Sequence, residues 1–77
     1  MKTLLKYLVE EITGITDFTI KESEENSFKT YELLVPSEYV GLIIGKNGKT
    51  IKTLRNLMKV RAILDKVRFN LVVTSSN

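Results

Sequence analysis

Two glycines enclose a lysine and an asparagine in the segment Gly45-Lys46-Asn47-Gly48, and a second lysine, Lys49, follows at once. Glycine leaves no side chain between backbone and ligand, so another chain can come close at this point. A helix opening at Lys49 would turn its first amides outward without intrahelical acceptors, and its dipole would favour an anion there. Lys46 adds a positive charge at the loop tip, and Lys49 adds another in the first turn. The phosphates of a sugar-phosphate backbone are the anions that this arrangement suits. A P-loop shares the ending Gly48-Lys49-Thr50, but that motif needs glycine five positions before Gly48. Ile43 stands there, Gly41 and Gly45 fall at other spacings, and a nucleotide-binding sheet would need a longer chain.

The rest of the composition narrows the chemistry. There is no cysteine and no histidine, which removes the thiolate nucleophile, the commonest metal ligand and the usual general base near neutral pH. Lys, Arg, Asp, Glu, Ser, Thr and Tyr remain, and they form neither a nucleophile-base pair nor a metal-ligand cluster. A binding protein without cofactor or metal is therefore expected, not an enzyme. The net charge of +3 is unevenly distributed. Residues 1–40 carry four lysines and eight acids, a balance of −4; residues 41–77 carry eight bases and the single acid Asp65, a balance of +7. Such asymmetry fits one surface meeting a polyanion, although a basic half can also serve solubility alone.

The elements that must position the loop can be read from periodicity. Leu4, Leu5, Leu8, Val9 and Ile12 mark one face of a first helix, with Thr3 as its cap and Gly14 at its end. Phe18 to Glu22 and Phe28 to Val35 read as strands, joined in a hairpin by the polar stretch Ser23-Glu24-Glu25-Asn26-Ser27. Pro36 ends the second strand and can begin a helix. A short helix over Tyr39 to Ile44 precedes the glycine loop, and a longer one runs from about Lys49 to Leu64. Arg68 to Thr74 is a last strand with Phe69, Leu71 and Val73 on one face, and Ser75-Ser76-Asn77 is a polar tail. The order is α-β-β-α-α-β, an α+β domain over residues 1–77. At 77 residues a chain buries only about 60% of the surface that its unfolded form exposes, so the core must be thin. Met1 to Val9 begins like a signal peptide, but Lys6 and Glu10-Glu11 interrupt the apolar run. No stretch approaches the roughly 20 apolar residues of a membrane span, and a cytoplasmic location is expected.

The run from Ile44 through Ile51 resembles the KH-domain signature Ile-Gly-x-x-Gly-x-x-Ile, with Val35-Pro36 and Val40-Gly41 before it and a basic amphipathic helix after it. Element order and size extend the resemblance over the whole chain, to the type II KH fold of the small bacterial single-KH proteins of the KhpA family. The resemblance implies a three-stranded sheet backed by three helices and binding of single-stranded RNA, about four backbone nucleotides being clamped by the glycine loop. It implies a role as an RNA chaperone or post-transcriptional regulator, and pairing with a second copy or with a larger KH-containing protein of the KhpB (Jag) type. Carried onto this chain, the RNA-binding residues are Gly45, Lys46, Asn47 and Gly48, with Val40, Gly41, Ile43 and Ile44 as the floor of the groove; the three isoleucines Ile43, Ile44 and Ile51 serve equally well as core, and close helix packing is the alternative reading of Gly41. With no tryptophan and no aromatic in or near the loop after Tyr39, stacking of bases on aromatic platforms is not expected.

The long helix presents three faces at about 100° per residue. Ile51, Leu54, Met58 and Ala62 point one way, toward the sheet. Lys49, Lys52, Arg55 and Lys59 share a second face, where stacked like charges repel and a polyanion would relieve them. Leu57, Val60 and Leu64 form a third stripe, which either wraps the edge of the core or is a dimer surface. Where the family often carries small residues late in this helix, this chain has Met58, Lys59, Val60 and Arg61.

Overall fold

The computed structural model describes residues 1–76 and has the expected element order. Helix α1 (Lys2–Thr13) leads into the antiparallel strands β1 (Thr19–Glu25) and β2 (Phe28–Val35). Helix α2 (Ser37–Ile44), a 3₁₀ turn over Lys46–Gly48 and helix α3 (Lys49–Asp65) then carry the chain to β3 (Arg68–Ser75). The strand order is β1-β2-β3, with β2 in the centre. β3 runs parallel to β2, from Phe28↔Arg68 to Val35↔Ser75, as a crossover through two helices allows.

Alternation along β2 decides which face of the sheet is covered. Tyr31, Leu33 and Val35 are fully buried beneath the helices, whereas Thr30, Glu32 and Leu34 occupy the opposite face. There the Thr74 hydroxyl donates to the Glu32 carboxylate at 2.9 Å. Leu5 and Val9 of α1, Ile15, Ile20 of β1, Ile43 of α2, Leu54 and Met58 of α3, and Leu71 of β3 complete the core. The Tyr31 hydroxyl is buried with no hydrogen-bond partner among the described residues. Its burial, and then Glu22 and Glu24, push the phenol above its ordinary pKa.

Several boundaries differ from the sequence reading. The hairpin turn is only Asn26-Ser27, both at positive φ (53° and 66°), as a two-residue turn of the type that matches strand twist requires. Ser23, Glu24 and Glu25 therefore belong to β1, paired with Thr30, Lys29 and Phe28. Ser23, Glu24 and Glu25 are all exposed, so this end of β1 is polar on both faces and mimics a loop in composition. Thr3 does not cap α1; it lies inside the helix, and Met1 occupies the cap position without a side-chain bond. Pro36 is the cap of α2, its carbonyl accepting from the Tyr39 amide at 2.8 Å, so the helix begins at Ser37 instead of Tyr39. At the other end, Ser75 is in β3 and the Ser76 amide donates to the Val35 carbonyl at 2.8 Å, while Asn77 lies outside the described residues.

Candidate nucleic-acid interface

Helix α2 ends where the Gly45 amide donates to the Gly41 carbonyl at 2.8 Å, and the Gly48 amide then donates to the Gly45 carbonyl at 3.1 Å. Three of the four loop residues have left-sided backbones: Gly45 (φ 78°, ψ 170°), Asn47 (φ 57°, ψ 26°) and Gly48 (φ 73°, ψ 17°). The Gly45 combination lies in a region that is almost reserved for glycine, and asparagine is among the few other residues that enter the left-handed region at low cost. The result is a sharp corner with Lys46 and Asn47 exposed at its tip. Neither side chain has a hydrogen-bond or ion-pair partner among the described residues. Gly48 caps α3 without a side-chain bond, and the Lys49 amide donates to the Lys46 carbonyl, so only the amides that follow Lys49 lack a side-chain acceptor.

Around this corner the expected residues divide. Gly41 and Ile44 are exposed on α2, and Val40 is half-buried against the core. Ile43 is fully buried, so it is core and not part of a groove floor. Gly41 does not serve close helix packing, because nothing lies within 4 Å of where its Cβ would be. On α3, Leu54, Met58 and Ala62 are buried and Ile51 packs partly against them, as the angular reading requires.

Lys49, Lys52, Arg55 and Lys59 are exposed on a neighbouring face of α3, and none of them has an ion-pair partner among the described residues. A tie that sequence reading missed joins this face to the sheet: the Arg55 guanidinium donates to the Leu71 carbonyl at 3.4 Å. Leu71 lies on β3, one of the two edge strands of the sheet. The basic face of α3 and the outer edge of β3 therefore border one surface, which begins at the glycine loop. The third stripe stays outside the core, with Leu57 43%, Val60 61% and Leu64 74% exposed. Ile63, at 66%, enlarges it.

The chain is similar to known proteins over most of its length. A family model described as KhpA/KhpB, KH domain matches residues 2–73. The RNA-binding protein KhpA of Chlamydia trachomatis is 35% identical over 74 residues, spanning 95% of both chains. The protein of that name from Thermotoga maritima is 39% identical over 59 residues, 75% of this chain and 79% of the relative. The Oceanobacillus iheyensis KhpA is 34% identical over the same length and shares.

Proposed function

The chain belongs to the KhpA/KhpB family of KH domains, and from that premise we propose that it grips single-stranded RNA by its backbone through Gly45-Lys46-Asn47-Gly48. The observation that carries this reading is the loop itself, where left-sided backbones raise Lys46 and Asn47 ahead of the start of α3, which no side chain caps. Phosphates would meet the Lys46 and Lys49 side chains, while Val40, Gly41 and Ile44 border the bases and Lys52 and Arg55 extend the positive wall. The role is binding without catalysis, as an RNA chaperone or post-transcriptional regulator in the cytoplasm. No helix among the described residues is long and apolar enough to cross a membrane.

A variant carrying Lys46→Asp and Asn47→Asp tests the loop. Both residues are exposed, so circular dichroism should show the native spectrum. Affinity for single-stranded RNA should fall at least about tenfold, the equivalent of one lost charge-assisted hydrogen bond at about 1.5–3 kcal/mol. Undiminished affinity in the folded variant would remove the loop as the site.

A second reading is favoured by the exposed stripe on α3. Leu57, Val60 and Leu64 would pair with a second copy of the chain, or with a larger KH-containing partner, and assembly would then be the main task with RNA contact secondary.

A further inference from the structure

The fold brings together an apolar hollow that the sequence keeps apart. Its floor is formed by Ala62 and Ile63 at the end of α3, Val67, and Phe69 of β3, and Phe28 at the start of β2 closes one side. Arg55, Lys59 and Arg68 stand around it, no acidic residue lines it, and its volume is about 310 Å³. That volume lies at the lower end of sites that hold small molecules. Phe28 and Arg68 are register partners across the β2–β3 pair, so an exposed aromatic ring and a cation are neighbours.

We infer that this hollow is a second RNA subsite, taking a base of the same strand beyond the roughly four nucleotides clamped by the loop. The inference rests on the RNA-binding reading above and extends it. Two observations select RNA as the occupant. The first is continuity: Lys49, Lys52, Arg55 and Lys59 run along one face of α3 from the loop, and Arg55 and Lys59 are themselves at the rim of the hollow. At 1.5 Å per residue, Lys59 lies about 15 Å along the axis from Lys49. A strand leaving the loop on this face therefore meets cations throughout. The second is chemistry: a base offers a flat apolar ring joined to an anion, and the hollow offers aromatic and aliphatic carbon framed by three cations. Glu24 and Glu25 border the adjoining hollow on the hairpin side, which repels a strand from going further and ends the path here. Aromatic stacking, not expected from the sequence because no aromatic follows Tyr39 near the loop, is thus available at the far end of the basic face.

The test combines Phe28→Ala with Arg68→Gln. Both residues are exposed and lie outside the loop and the Leu57 stripe, and circular dichroism and light scattering confirm fold and mass. Wild type and variant are titrated with single strands of four and of eight adenosines, and the two proteins are compared at each length. Stacking of one base is worth about 1–3 kcal/mol, so the variant should bind the eight-nucleotide strand about 5- to 140-fold more weakly. Its affinity for four nucleotides should change less than about twofold, showing that the loop is intact. Equal binding of the long strand by both proteins overturns the subsite and leaves the loop reading standing. Equal loss at both lengths also overturns it, since the two residues would then belong to the loop's own footprint. A variant with unchanged RNA binding but a lower mass would assign the hollow to a protein partner. Failure of wild type to bind either strand would reject the loop reading, and the subsite with it.

Discussion

At the scale of single residues, Gly45 and Gly48 look alike in the sequence but are needed for different reasons. A Cβ on Gly45 would come within 2.8 Å of the Thr50 backbone nitrogen, at a φ and ψ that other residues almost never share. A Cβ on Gly48 would meet nothing nearer than Ile51 Cγ2 at 4.0 Å, in the ordinary left-handed region. Gly48→Ala should therefore cost about 1–2 kcal/mol. Gly45→Ala should cost more, because strain of about 1–3 kcal/mol is joined by a backbone clash that no rotamer can relieve. Urea unfolding of the two variants checks the order, and equal midpoints would contradict it. The motif was legible because two glycines at this spacing beside lysines have few structural uses. The contact with Thr50 was not, since it depends on how sharply the chain turns from α2 into α3. Ile43 shows the same limit: an isoleucine next to a motif can face either way, and only the packed helix settles it.

At the scale of elements, α2 carries an apparent flaw on the side nearest the proposed groove. Gly41 sits inside an eight-residue helix, where glycine costs roughly 0.5–1 kcal/mol relative to alanine, and no neighbour requires the missing side chain. Its absence is useful only if something outside the protein lies against it. Gly41→Ala should thus raise stability by about 0.5–1 kcal/mol while weakening the binding of four-nucleotide RNA. A stabilised variant with unaltered affinity would take Gly41 out of the groove. Helices and central strands were readable from the sequence because burial on one side imposes a period, as in Leu54, Met58 and Ala62 or in Tyr31, Leu33 and Val35. The hairpin tip was misread because Ser23 to Glu25 have no buried side to betray a strand. The Arg55 bond to Leu71 was invisible because it joins residues 16 apart in the chain, and with it went the place of β3 beside the basic face of α3.

At the scale of the whole molecule, an acidic first half and a basic second half are folded so that the basic residues of α3 share one surface with the loop. The same helix turns Leu57, Val60 and Leu64 outward, although a chain of 77 residues has little apolar area to spare. These side chains do not complete the core, which is closed by Leu54, Met58 and Ala62 on the opposite side of α3. Such a contiguous patch fits a contact with another protein. Its centre lies about 100° or more from that of the basic face, so a symmetric pairing through it would leave both loops open. Two weak grips on one strand then gain effective concentration over one grip. Leu57→Asp should give a folded monomer, because Leu57 is outside the core and only charge is added at the patch. The variant should bind a long RNA at least about tenfold more weakly, yet match wild type on a four-nucleotide strand. This pattern differs from that of the Phe28 and Arg68 variant in one decisive respect, because only Leu57→Asp lowers the mass. Light scattering of wild type at tens of micromolar is the first measurement. A monomer there would reject self-pairing and turn the patch toward a larger KH-containing partner.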